Sequence, residues 1–180
     1  FSHYAFLLDH SGSMGKKRAN VLQNSVFKSV STNYTFENSV YNIYSLYKFD
    51  SNTGLVVSSR DINDIRNRFM PTNGLINYGG GTAMKDGLIR VISDLRNDSK
   101  SDNKVVVMFT DGDSNSDMIE KKMSAVISDA LKENINIIVV GFGSHFNVNA
   151  LNEIAYYSGG NLYHIYTEEE FDILFDTPSS

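Results

Sequence analysis

The chain contains no cysteine. That excludes a disulfide framework and a thiolate metal centre. It does not fix the compartment, because a domain of 180 residues is large enough to fold without disulfides on either side of a membrane. Long apolar runs are also missing. A membrane-spanning helix needs about 20 consecutive apolar residues, and the longest runs fall far short, so no membrane insertion is expected from this segment. Basic surplus is missing too. Sixteen Lys and Arg against 21 Asp and Glu leave a net charge of -5, the opposite of the footprint a nucleic-acid partner requires. The one dense basic run, Lys16-Lys17-Arg18, reads as the solvated start of a helix. There is no signal-peptide pattern, no internal repeat and no low-complexity segment. The chain enters a strand almost at once and closes on Thr177-Pro178-Ser179-Ser180. Residues 1–180 are therefore expected to be a single domain cut from a longer protein, with an extracellular or cell-surface setting favoured and the oligomeric state left open.

What is present is an alternation of two hydrophobic periods. Hydrophobic residues make up 41% of the chain, enough for one sizeable core. Tyr4–Leu8 is a nearly continuous apolar run ending at Asp9, the pattern of a central strand buried on both faces. A helix is expected from Gly15 to about Ser31, with Ala19, Leu22, Val26 and Val30 at helical spacing. The Tyr-rich stretch Val40–Phe49 reads as a second strand, with its tyrosines assigned to sheet packing. The turn Asp50–Gly54 returns into a short strand, Leu55–Ser58, which would form an antiparallel edge. Ile62–Phe69 is a short helix stopped by Pro71. After a loop from Thr72 to Gly81, a helix runs from about Ala83 to Arg96, with Met84, Leu88, Val91, Ile92 and Leu95 facing inward. Lys104–Thr110 and Ile135–Phe142 are further buried strands, separated by a helix over roughly Asp117–Glu133. A short helix over Asn147–Tyr157, a strand at Asn161–Tyr166 and a helix at Glu168–Phe175 complete the order. Apolar strands alternating with amphipathic helices imply an α/β fold: a doubly wound, mostly parallel sheet with helices on both faces.

In such a fold ligands bind beyond the carboxyl ends of the strands, where the strand order reverses. Two polar segments follow strands: Asp9-His10-Ser11-Gly12-Ser13 and Asp111-Gly112-Asp113-Ser114. A third, Gly80-Gly81-Thr82, precedes a helix. Asp9, Ser11 and Ser13 alternate along an extended stretch, so their side chains can turn toward one point. The glycines at 79–81 let Thr82 approach it. The donors are all oxygens: two carboxylates and three hydroxyls. Oxygen sets favour Mg2+, Mn2+ or Ca2+ over Zn2+ or Cu2+. Mg2+ keeps waters readily, so an open position could accept a carboxylate from a partner. His145, with Phe146 beside it, follows the fifth strand and should share this rim.

Asp9-His10-Ser11-Gly12-Ser13 matches the DxSxS motif of von Willebrand factor type A (VWA) domains. Gly80-Gly81-Thr82 resembles their second metal loop and Thr110-Asp111-Gly112 their third. The similarity continues through Val139-Val140-Gly141-Phe142-Gly143 and Ser158-Gly159-Gly160. The resemblance implies a Rossmann-like sheet with the first strand central and a metal-ion-dependent adhesion site (MIDAS). In that site Ser11, Ser13 and Thr82 would be hydroxyl ligands, and Asp9 and Asp111 would bind directly or through water. The implied function is a protein-binding module whose ion, Mg2+ first and Mn2+ or Ca2+ as substitutes, takes an Asp or Glu of a protein partner. His10, Gly81, His145 and Phe146 would lie on the contact rim.

Two other uses compete with adhesion. One is a scaffold in an intracellular assembly. The other is a metal-dependent phosphohydrolase, which the residues disfavour: position 11 is Ser where a DxD nucleophile pattern needs Asp, and Gly12-Ser13-Met14-Gly15 is not a G-x-S-x-G elbow. No enzymatic activity is expected.

Overall fold

The computed structural model describes residues 1–9, 42–50, 52–68, 83–110, 123–142 and 162–165. Six strands form one sheet: β1 (Ser2–Asp9), β2 (Asn42–Phe49), β3 (Thr53–Ser59), β4 (Asn103–Thr110), β5 (Ile135–Phe142) and β6 (Leu162–Ile165). Their spatial order is β3-β2-β1-β4-β5-β6. Every neighbouring pair is parallel except β2 and β3. This is a doubly wound sheet with β1 at its centre and β3 as an antiparallel edge, as the run lengths and the Asp50–Gly54 turn imply. The order runs outward from β1 in one direction and from β4 in the other, so the switch point lies between these two strands.

Three helices are described: α1 (Ile62–Arg68), α2 (Met84–Asn97) and α3 (Met123–Lys132). The helices expected over residues 15–31, 147–157 and 168–175, and the start of the one expected from Asp117, lie outside the described residues. Alternation along each strand divides the core in two. Ala5, Leu7, Tyr47, Phe49, Val106, Met108, Ile137 and Val139 point to one face. There they meet Met84, Leu88, Val91, Ile92 and Leu95 of α2, and Val126, Ile127 and Ala130 of α3. Phe6, Leu8, Tyr44, Leu46, Val107, Phe109 and Val140 point to the other face, covered by Ile62 and Ile65 of α1. The inward residues of α2 recur at spacings of three and four, which puts them on one helical stripe. All five expected from the sequence are buried.

The joint between α3 and β5 depends on backbone permissiveness. Asn134 has φ 54, in the left-handed region that Asn tolerates better than most residues. Its N–H donates to the Leu131 carbonyl at 3.1 Å, closing the helix before β5 begins. Gly87 serves close packing: a Cβ there would sit 3.3 Å from Thr53 Oγ1 and 3.5 Å from Phe49 Cβ. Its small size lets α2 lie against the ends of β2 and β3.

Candidate functional site

The site is built from strand ends. Asp9 is the last residue of β1 and Thr110 the last of β4. Both are fully buried, and the Thr110 hydroxyl donates to Asp9 Oδ2 at 2.9 Å. The pairing follows from parity. Leu8 is in register with Phe109, so the next residues face each other across the seam, on the α2 side of the sheet that holds Leu7 and Met108. On the other side of β1, Asp9 is in register with Phe49, whose ring is also buried. A carboxyl side chain thus sits inside the protein at the carboxyl ends of the two strands where the sheet reverses, flanked by an aromatic ring and by a hydroxyl donor.

A third segment is anchored at the same rim. The Ala83 N–H donates to the Asp50 carbonyl at 2.7 Å. Asp50 directly follows Phe49, and its side chain forms a local turn by accepting from the Asn52 N–H at 2.9 Å. The backbone entry into α2, immediately after Thr82, is therefore fixed beside the end of β2. Met84 and Leu88 then close over the α2 face of the sheet.

Of the residues expected to form the site, Asp9 is described. Ser11, Ser13, Thr82 and Asp111 lie outside the described residues, as do His10, Gly81, His145 and Phe146 on the expected rim. The described neighbours of three of them converge: Asp9 itself, Thr110 next to Asp111, and Ala83 next to Thr82. Among the described residues no group of three His, Cys, Asp or Glu side chains could hold a metal ion. Sequence reasoning gave Thr110 no role of its own. Its signal was available: a polar residue at the end of an otherwise apolar buried strand, one position from a candidate ligand.

Comparison with known proteins decides the family. The model of the von Willebrand factor type A domain matches residues 5–177. The chain belongs to the VWA domain family. Solved structures of the same fold include a von Willebrand factor type A protein from Catenulispora acidiphila, with a TM-score of 0.77 at 15% identity, covering 97% of this chain and 42% of that one. BatB from Bacteroides thetaiotaomicron, described as a conserved hypothetical protein, gives a TM-score of 0.74 at 13% identity, covering 97% and 95%. The proximal thread matrix protein 1 of the mussel byssus, solved with a zinc-occupied MIDAS motif, gives 0.69 at 21% identity, covering 97% and 44%. The VWA chain thus spans less than half of two of these proteins and nearly all of the third. No curated protein matches the sequence. VWA domains are generally non-enzymatic protein-interaction modules, and they often bind a divalent metal at the MIDAS. No helix among the described residues is long and apolar enough to cross a membrane.

Proposed function

We propose that this VWA domain is a divalent-cation-dependent protein-binding module, in which Asp9, Ser11, Ser13, Thr82 and Asp111 hold one ion that receives an Asp or Glu side chain of a protein partner. The observation that carries the reading is the buried Asp9 carboxylate at the switch point, hydrogen-bonded to the residue that precedes Asp111. Burying an ionised carboxylate is costly unless opposite charge or donors compensate. A cation at the strand ends offsets that cost. The donor set is oxygen only, which suits a hard ion such as Mg2+, with Mn2+ or Ca2+ as substitutes. The zinc-occupied MIDAS of the mussel byssus protein supports a metal on this scaffold and leaves the working ion to measurement.

The residues divide the task. Thr110 orients Asp9. The tether from Ala83 to Asp50 fixes where the segment carrying Thr82 enters α2. The bound ion would supply a focused positive charge for an anion. His10, Gly81, His145 and Phe146 would form the surrounding contact rim.

The test compares thermal melting in millimolar Mg2+ and in EDTA, with wild type and Asp111→Ala. An ion that binds only the folded state at a concentration one hundred times its Kd adds about 2.7 kcal/mol. Wild type should melt higher in Mg2+, and Asp111→Ala should not respond. A pull-down with the same two proteins, each with Mg2+ and with chelator, then identifies partners lost in both the mutant and the chelator lanes. Equal melting temperatures in Mg2+ and EDTA for wild type would remove the metal from the reading.

A further inference from the structure

A second polar constellation lies at the opposite end of β1. His3 is 7% exposed and Ser45, on β2, is 1% exposed. His3 Nδ1 lies 2.9 Å from Asp98 Oδ2, just past the end of α2. His3 Nε2 lies 2.7 Å from Ser45 Oγ. Ser45 Oγ lies 2.9 Å from Ser58 Oγ on β3, and Ser58 is exposed. Four side chains from three strands and a helix terminus thus form one continuous line from the interior to the sheet edge.

The protons in this line can be assigned. Burial acts to raise the Asp98 pKa, but the Ser101 hydroxyl, His3 and the Lys100 N–H outweigh it and hold the carboxyl at about 2. Asp98 is therefore an anion at neutral pH and accepts from His3 Nδ1–H. Burial lowers the His3 pKa below its usual value, against the opposing pull of Asp98, so the ring is neutral and Nε2 carries no proton. Ser45 must then donate to Nε2. With its proton committed, Ser45 accepts from Ser58. Each hydroxyl hands its proton inward, toward a neutral imidazole held in one tautomer by a carboxylate, the logic of a Ser-His-Asp arrangement. The serine touching the histidine is buried and cannot reach a substrate. The next one along is exposed and can.

We propose that Ser58 is an activated, acyl-accepting serine, with Ser45 and His3 acting through it as a proton relay and Asp98 positioning the imidazole. The ligand class is a small activated acyl ester or thioester, which reaches Ser58 on its exposed side, β3 being the last strand of the sheet on that side among the described residues. In the step, Ser58 Oγ forms a bond to the acyl carbonyl carbon. Its proton passes to Ser45 Oγ as the Ser45 proton passes to His3 Nε2, and Asp98 faces the resulting imidazolium. Collapse of the tetrahedral adduct breaks the bond to the leaving alcohol or thiol, which recovers the proton through the same line. The products are O-acyl-Ser58 and the free alcohol or thiol. This inference is independent of the metal rim.

The probe is p-nitrophenyl acetate. Acetyl occupancy at Ser58 is measured over time by peptide mass spectrometry on the folded protein, with Ser124, exposed on α3, as internal reference. Base assistance is worth about a hundredfold or more when fully expressed, so Ser58 should acetylate at least about tenfold faster than Ser124. The wild-type rate should fall as pH drops through the folded-state pKa of His3, which burial holds below its ordinary value, as the ring takes up a proton. Ser45→Ala should bring Ser58 down to the Ser124 rate, and Ser45→Thr should restore part of the gain. A Ser58 rate no higher than that of Ser124 at pH 7.5 overturns the proposal without reference to any variant's folding.

Discussion

The Thr110 hydroxyl reaches across the seam between β4 and β1 to donate to the Asp9 carboxylate at 2.9 Å, with both side chains wholly out of solvent. The bond joins the last residues of the two strands at which the sheet reverses, so it couples the fold's switch point to the residue on which the proposed metal site depends. Replacing Thr110 with Val keeps the shape and removes the donor. An acceptor left short of a partner inside a protein costs about 1–3 kcal/mol. Thr110→Val is therefore expected to lose stability in that range, read from urea unfolding midpoints at unchanged slope.

Asp9→Asn separates charge from shape. Asn retains a carbonyl that can accept from Thr110 and removes the buried negative charge. In EDTA the variant should be at least as stable as wild type. In millimolar Mg2+ it should fail to gain the stabilisation expected of wild type. Melting curves of both proteins under both conditions check this, and a Mg2+-induced rise in Asp9→Asn equal to that of wild type would exclude Asp9 from the ion's coordination.

The His3 relay makes stability depend on pH. The folded-state pKa of His3 lies below its usual value, chiefly because of burial. The unfolded chain therefore binds the proton more readily than the native one, and stability rises with pH through this region. The contribution is complete above about 6.5, the ordinary His value, and is lost as pH falls through the folded-state value. Asp98, held at about 2, adds a further loss of the same sign under stronger acid. Denaturant midpoints measured from pH 7.5 down to 5 should decline, and His3→Gln should flatten the decline.

Thr53 offers the reverse case. Its hydroxyl is buried with no hydrogen-bond partner among the described residues, near the ends of β2 and α2. Thr53→Val removes the unpaired polar atom and keeps a β-branched side chain suited to a strand. A gain of about 1 kcal/mol is expected, measurable as a higher urea midpoint.

The fold was legible because its period is written residue by residue. Val105–Phe109 and Ile137–Val140 are apolar without interruption, as strands covered on both faces must be. Leu88, Val91, Ile92 and Leu95 mark the buried stripe of α2. Strand ends shifted by one or two residues: β1 begins at Ser2 and β3 at Thr53, because hydrogen-bonded pairing extends past the apolar run that announces a strand. At the site, Asp9 could be placed from its motif, whereas the role of Thr110 depends on register between strands about a hundred residues apart. The relay was not legible at all. His3 meets Ser45 and Asp98 across separations of 42 and 95 residues, and only the sheet order brings them together. Tyr47 belongs to the same class. The sequence assigns it to packing, and it does pack in the core, but its hydroxyl also donates to Asp94 at 2.7 Å, and burial together with that carboxylate pushes its pKa up.

The mooring of α2 has a consequence for engineering this domain. Both partners in the bond from Ala83 to Asp50 are main-chain atoms, so no exchange of side chains at either position deletes it, short of a proline at 83, which has no N–H to donate. Side chains at either position can be exchanged while the helix that follows keeps its starting point beside the end of β2.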